Sequence, residues 1–349
     1  MARTVNGFAA YEAKDALKPY TFERRDPRPD DVVFDVLYCG VCHSDLHQVE
    51  NDWGDSTYPI VPGHEVVGRV TEVGSEVTKF QVGDLVAVGC MVDSCRTCNP
   101  CQAGLEQYCE EGNVGTYSDI DRHDHLPTYG GYSKMMICTE DFVLKVPENL
   151  DLKSTPPIVC AGITTWSPLR HWNVGKGSKV AVVGLGGLGH MALKLANALG
   201  ADVTLFTRSL NKVEDAKRLG AHHIVLSTDE KAMEAVANQF DLIIDTVPNN
   251  HDLSPYIPTL TLNGTLVLVG YLGNLDEVNT VPLILGRRTI AGSVIGGIQE
   301  TQELLDFCGQ HNITADVEVI KMEEINEAYE RMQKSDVKYR FVIDVADFQ

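Results

Sequence analysis

Short apolar runs separated by turn residues fill the first part of the chain. Residues 32–38, 66–73 and 85–88 are such runs, with Gly74-Ser75 and Gly83-Asp84 between them. Runs this short, bounded by Gly, Pro and Asp, read as strands, so the chain up to about Pro147 predicts a small, irregular all-β barrel. The texture changes near residue 150. Residues 179–183 form a β-branched run, a glycine cluster follows, and apolar positions then recur at helical spacing over 188–199. A strand at 203–206, a helix at 212–219, a strand at 223–225, a helix at 231–239 and strands at 242–245 and 265–269 continue the alternation. Strand and helix alternating in this way predict a parallel, doubly wound sheet, an α/β domain. The alternation is complete near Ile298, and the remainder predicts one more helix, 323–332, and a last strand, 340–345. That is too little for a domain, so it is expected to pack back onto the first one. The predicted division is 1–152 completed by 297–349, around a second domain of 153–296.

The length of 349 residues agrees with two domains. A net charge of -20 opposes non-specific nucleic-acid binding and gives a solvated acidic surface. The most apolar stretch, 180–199, contains His190, Lys194 and several glycines and so does not read as a membrane span. Met1-Ala2-Arg3-Thr4 has no apolar run behind it, from which a cytoplasmic protein without a secretory signal is expected. Ten cysteines in such a chain read as metal ligands in a reducing compartment, not as a disulfide scaffold.

The cysteines fall into two kinds of pattern. Cys95, Cys98, Cys101 and Cys109 lie at short spacing in a polar segment with Pro100 and Gly104. Four thiolates so spaced can close a tetrahedral shell with no open position, as a structural zinc requires. Cys42, His64 and Cys160 are far apart in sequence, yet would give two sulfurs and one nitrogen. Three protein ligands with a fourth position open suit a catalytic zinc. Glu65 follows His64 and is either a nearby carboxylate or an occasional ligand. Cys39 and Cys42 also have metal-like spacing, but His43, Ser44, Asp45 and His47 come next. A hydroxyl beside a metal (Ser44) and an imidazole near the surface (His47) can relay a proton, and Asp45 can orient a ligand histidine. A plain polar turn is the alternative.

Gly184-Leu185-Gly186-Gly187-Leu188-Gly189 follows a predicted strand and opens a predicted helix, the context a G-x-G-x-x-G dinucleotide site needs. Gly184 allows the tight turn, Gly186 the approach of a pyrophosphate, and Gly189 close helix packing. The helix start then offers amides and a positive dipole end to phosphate. The end of the next strand reads Thr207-Arg208-Ser209, with Lys212 one turn later. A carboxylate there would take a free ribose hydroxyl. Hydroxyls and two cations instead suit a 2′-phosphate, so NADP(H) is favoured over NAD(H); an ordinary charged helix start is the other reading.

Taken together, these segments resemble the zinc-dependent medium-chain alcohol dehydrogenases. The resemblance is carried by Gly40-Val41-Cys42-His43-Ser44-Asp45, Pro62-Gly63-His64-Glu65, the four-cysteine loop, Cys160-Ala161-Gly162-Ile163-Thr164 and the glycine-rich run. Thr128-Tyr129-Gly130-Gly131-Tyr132-Ser133, Gly292-Ser293-Val294-Ile295-Gly296-Gly297 and Lys338-Tyr339-Arg340-Phe341 point to the cinnamyl-alcohol-dehydrogenase branch and its bacterial NADP-dependent aldehyde reductases. The resemblance implies a GroES-like catalytic domain and a Rossmann domain, through which the family commonly dimerises. It implies catalytic zinc on Cys42, His64 and Cys160 with Glu65 adjacent, and structural zinc on Cys95, Cys98, Cys101 and Cys109. Ser44 and His47 would form the relay and Asp45 would support His64. His43 and Thr164 would lie near the cofactor, as would Val269 and Ile295, and Thr207, Arg208, Ser209 and Lys212 fall where the branch holds the 2′-phosphate. Arg208 departs from the small hydroxyl residues usual there, in a direction that favours phosphate. The segment 119–126, with His123 and His125, is less typical of the family and receives no role.

The expected activity is reversible hydride transfer between NADP(H) and a primary alcohol or aldehyde, of broad range and favouring aldehyde reduction. Trp53, Cys90, Trp166 and Ile295 are candidate pocket walls or plain core. Two other readings stand beside it: an NAD-dependent polyol or secondary-alcohol dehydrogenase, and a non-catalytic, zinc-stabilised redox sensor.

Overall fold

A computed structural model describes residues 3–270, 273–275 and 277–348. They form two compact units, Met1–Cys160 with Gly296–Gln349, and Ala161–Ile295.

The first unit is built on one long strand, Asp31–Val41, almost wholly buried. Apolar residues on both of its faces mark it as a central strand. One edge pairs antiparallel with Val66–Val73. The other edge is shared: Met135–Thr139 takes residues 31–35, and Arg340–Asp344 takes 38–41. The sheet runs on through Leu85–Val88 to Leu144–Lys145 on one side and to Val317–Lys321 on the other. The chain's end therefore returns to the first sheet. The returning segment is richer than the predicted single helix and strand. A helix at Ile298–His311 and a strand at Val317–Lys321 precede the helix Ile325–Gln333 and the strand Arg340–Asp344. The first of these helices buries only Thr301, Leu304, Leu305 and Cys308 among glutamines and acids, so its apolar stripe is thin.

The second unit is a six-stranded parallel sheet. Its spatial order is His223–Leu226, Asp202–Thr207, Lys179–Val183, Phe240–Asp245, Leu260–Leu268, Thr289–Gly292. In order of appearance this is 3-2-1-4-5-6, the Rossmann arrangement. Phe206, Phe240 and Tyr256 meet edge-on or tilted at 5.3 and 5.4 Å within its core. The helix predicted at 231–239 is shorter, Glu230–Glu234. The Asp229 carboxylate caps its start by accepting from the amides of Lys231 and Ala232. Asn238, with φ 56°, turns the chain out of helical geometry before residue 239.

Candidate metal centres and dinucleotide site

The long strand Asp31–Val41 runs into the helix His43–Glu50, and Cys42 stands between them in extended geometry. Cys39 pairs with Val66, and the Gly40 amide donates to the Glu65 carbonyl at 2.9 Å, which brings His64 and Glu65 alongside Cys42. Cys160 follows the short turn Pro156–Val159, which packs on the same strands. Sequence separation is thus closed by sheet pairing. A metal-ligating atom from each of Cys42, His64, Glu65 and Cys160 lies within 4.8 Å of all the others, and all four residues are buried. Cys42 Sγ is 3.8 Å from Cys160 Sγ, and His64 Nε2 is 3.3 Å from Cys160 Sγ.

The surroundings orient and charge these groups. His64 Nδ1 faces Asp45 Oδ1 at 3.0 Å. Asp45 also accepts from the Cys42 amide at 2.9 Å, the Gly63 amide at 3.2 Å and the Tyr132 hydroxyl at 3.2 Å. Tyr117 stacks on the His64 ring at 5.8 Å. The hydrogen bond with Cys160 pulls the Cys42 thiol well below its ordinary range, with Arg340 and His64 adding to the pull; the same bond pushes Cys160 up. Burial pushes the Glu65 carboxyl up, against the pull of Arg340. Arg340, buried at the head of the last strand, is ion-paired with Glu65 Oε1. Glu65 Oε2 is buried with no hydrogen-bond partner among the described residues. A side chain at Gly40 would collide with it. Two thiols, an imidazole and an orphaned carboxylate oxygen are a donor set that zinc fits.

The second cluster is Cys95, Cys98, Cys101 and Cys109, whose sulfurs also lie within 4.8 Å of one another. Backbone amides of Cys95, Cys98 and Glu110 donate to the sulfurs of Cys109, Cys95 and Cys98 at 3.4, 3.3 and 3.4 Å. Such N–H donors favour thiolates, and those of Cys98 and Thr97 bring the Cys95 thiol down to about 6. Four sulfurs without a further protein donor fit a closed structural zinc.

Of the predicted relay, Ser44 Oγ lies 3.7 Å from Cys42 Sγ. His47, one turn later, sits 2.7 Å from Asp52 and 5.5 Å from the Trp53 ring. His43 is exposed on the same helix, 6.4 Å from His47 ring to ring. Cys90 hydrogen-bonds Cys160 and so borders the first cluster. Thr164 and Trp166 belong to the second unit, buried in the helix Ala161–His171.

In that unit Gly184 through Gly189 link the strand Lys179–Val183 to the helix Gly187–Ala198. A side chain at Gly189 would strike the Gly184 carbonyl, so only glycine lets this helix start so close to the strand. At the next strand end Thr207 Oγ1 bonds Ser209 at 3.0 and 3.3 Å, Arg208 is exposed, and Lys212 Nζ reaches back to the Leu185 carbonyl at 3.3 Å. Val269 donates its amide to the Asp245 carbonyl at 3.1 Å, and Ile295 ends the unit with φ 35°.

Residues 28–148 match the alcohol dehydrogenase GroES-like domain, and residues 187–310 match the zinc-binding dehydrogenase domain. The chain belongs to the zinc-binding alcohol dehydrogenases. Within them it falls in the cinnamyl-alcohol-dehydrogenase-like branch. Its fold is similar to that of a cinnamyl alcohol dehydrogenase from Sorghum bicolor, with TM-score 0.95, 46% identity and 99% of each chain covered. It is 54% identical to NADP-dependent alcohol dehydrogenase C 1 of Mycolicibacterium smegmatis over 99% of each chain. It is 51% identical to the aldehyde reductase YahK of Escherichia coli over 97% of this chain and 98% of the relative.

Sequence reasoning missed three residues of this dehydrogenase's first cluster. Arg340 lay within a motif quoted for the resemblance, but its role needs the register of the last strand, Phe341 opposite Val41. Its only sequence signal is a lone cation heading an apolar strand. Tyr132 also lay within a motif quoted for the resemblance, and Tyr117 carries no signal beyond being aromatic.

Proposed function

We propose that the protein is a zinc-dependent oxidoreductase that exchanges hydride between NADP(H) and a primary alcohol or aldehyde, chiefly as an aldehyde reductase of broad range. The observation that carries this reading is the buried cluster of Cys42, His64 and Cys160 beside an orphaned Glu65 oxygen. The names of the similar dehydrogenase and reductase support the cofactor and the substrate class. Met1–Cys160 with the returning Gly296–Gln349 is the catalytic domain, and Ala161–Ile295 the dinucleotide-binding domain.

Cys42, His64 and Cys160 hold the catalytic zinc, with Glu65 adjacent, and Cys95, Cys98, Cys101 and Cys109 hold the structural one. When bound, zinc supplies Lewis acidity to a substrate oxygen and the nicotinamide supplies or takes hydride. The protein's own part is to hold donors and move a proton. Asp45 fixes the His64 ring so that Nε2 faces the cluster. Arg340 neutralises Glu65 and keeps it turned inward. Ser44 carries a proton between the substrate site and His47, whose side chain is 35% exposed and hands it to solvent. Gly184 to Gly189, with Leu185, Gly187 and Leu188 between, cradle the pyrophosphate. Thr207, Arg208, Ser209 and Lys212 take the 2′-phosphate, while His43, Thr164, Val269 and Ile295 border the cofactor. Trp53, Cys90 and Trp166 border the substrate.

We further infer a homodimer through the dinucleotide domain. Thr289–Gly292 is an outer strand of the six-stranded sheet, and the nearby Ile284, Leu285 and Leu262 are 75%, 80% and 67% exposed. A cytoplasmic setting is supported by ten cysteines without a disulfide. Among the described residues no helix is long and apolar enough to cross a membrane.

The test combines metal analysis with a panel of aromatic, allylic and straight-chain aldehydes assayed by NADPH oxidation. Two zincs per chain and turnover that disappears in Cys42→Ser and in Cys160→Ser, with NADPH binding retained, is the expected result. One zinc and no turnover with any aldehyde or alcohol would leave a dinucleotide-binding sensor instead. Light scattering reads the dimer.

A further inference from the structure

The second unit carries a buried carboxylate beside its glycine-rich turn. Asp245 ends the strand Phe240–Asp245 and pairs with Val183, the last residue of Lys179–Val183. The residue after it, Thr246, puts Oγ1 3.2 Å from where a Cβ on Gly184 would lie. The order of the sheet reverses between these two strands, and ligands of such sheets bind outside the strand ends at that point. The Asp245 side chain is 0% exposed. A bare negative charge here opposes every phosphate the site is read to accept.

His251 meets that charge. Its Nε2 is 2.9 Å from Asp245 Oδ2, and its Nδ1 is 2.9 Å from the Asn249 carbonyl oxygen. Both neighbours accept and neither donates, so the doubly protonated imidazolium is the form that serves both. Asp245 Oδ1 takes the Val247 amide at 3.0 Å, but Oδ2 has no hydrogen-bond partner among the described residues, so the contact with His251 is an ion pair. The other groups around the imidazole are Arg208, which follows the strand Asp202–Thr207, Tyr256, edge-on at 6.2 Å, and Asp252, next in sequence. The close contact with Asp245 raises His251 above the ordinary histidine range, against burial and the repulsion of Arg208.

We propose that the His251 imidazolium masks the Asp245 carboxylate and thereby makes the cofactor site acceptable to the 2′-phosphorylated dinucleotide at neutral pH. The inference rests on the NADP(H) reading given above. His251 is a positioning residue for charge: it need not touch the cofactor. Because its proton is held more tightly in the folded protein, the mask outlasts the ordinary histidine range and is lost as pH rises further. NADPH, with the extra phosphate charge, loses more than NADH.

The experiment is fluorescence titration of the zinc-loaded protein with NADPH and with NADH, upward from about pH 7, where a phosphate monoester of second pKa about 6 is already ionised. In the wild type NADPH affinity is expected to fall about tenfold with rising pH while NADH moves less. His251→Asn is expected to bind NADPH about tenfold more weakly at pH near 7 with no further fall. Asp245→Asn is expected to bind it tightly throughout. These opposite signs separate masking from a structural role, in which both variants weaken binding alike. A pH slope that survives in His251→Asn, or an Asp245→Asn as weak as His251→Asn, overturns the proposal alone. A wild type that prefers NADH at every pH overturns the NADP(H) reading and this one with it. If His251→Asn does not fold, Asp245→Asn decides: a retained slope overturns the proposal.

Discussion

Asp45 Oδ1 lies 3.0 Å from His64 Nδ1, on the opposite edge of the ring from the nitrogen that stands 3.3 Å from Cys160 Sγ. One carboxylate thus fixes the tautomer and the aim of a metal-ligand candidate, and the same carboxylate holds the Cys42 and Gly63 amides and the Tyr132 hydroxyl. Asp45→Asn keeps the shape and removes the charge. Partners of this kind are worth about 10- to 100-fold in metal affinity. The variant should lose the first zinc to a competing chelator about that much more readily and keep the four-cysteine zinc unchanged. Chelator titration with zinc counting measures both. Equal loss from both clusters would mean a general weakening of the fold.

The four-cysteine lobe has little apolar core of its own. Cys95 and Cys98 are only partly buried, and Leu105 and Tyr108 are 39% and 43% exposed. Its order should therefore come from the metal. Cys101→Ser should leave residues 95–113 open to limited proteolysis and lower the melting temperature, while the Asp31–Val41 sheet stays protected from hydrogen exchange. Exchange mapping by mass spectrometry separates the local from the global effect.

The legibility of this protein in its sequence follows contact range. The doubly wound alternation and the four-cysteine loop are local patterns, and both the fold class and the close approach of those cysteines were readable. Cys42, His64 and Cys160 are distant in sequence, but each sits in a compact motif that could be matched one at a time. Arg340 sits in a matched motif as well, but its role, like that of Asp245, could not be found that way. Each looks like an ordinary charge at a strand end, and its importance depends on which strand lies next to it: 31–41 for Arg340, 179–183 for Asp245. The helix Ile298–His311 was missed for another reason. With Thr301 and Cys308 supplying half of its buried face, its period is nearly silent in hydrophobicity.

Arg208 and Lys212 stand at the end of Asp202–Thr207, one exposed and one reaching back to the glycine-rich turn. Replacing both with Ala should raise the NADPH dissociation constant by at least about 100-fold and leave NADH within about twofold, since each of the two charge-assisted phosphate contacts contributes about 1.5–3 kcal/mol and NADH has no 2′-phosphate to lose. Paired titrations read the ratio. A preference that does not move places the phosphate elsewhere.

The 119–126 segment is fastened by charge. Arg28 holds Asp121 with two parallel bonds of 3.0 and 2.7 Å and Asp124 with one of 2.6 Å, and Arg25 stands 3.6 Å from Asp121. Burial works to raise the Asp121 carboxyl, but Arg28 and the amides of His123 and Asp124 outweigh it and hold it at about 2, against 3.8 for a free side chain. A carboxyl depressed in the folded state stabilises it above the unfolded value, and that contribution fades as pH falls through the folded one. The segment's anchoring should thus be complete above about pH 4 and lost between about pH 4 and pH 2. Arg28→Ala should lower the melting temperature by a constant amount above this window, and the gap to wild type should close within it. Both groups are partly exposed, so salt should shrink the gap at every pH. Melting curves at several pH values, at low and high salt, measure it; a gap that persists unchanged to the acid end would mean that Arg28 acts through packing instead of through Asp121.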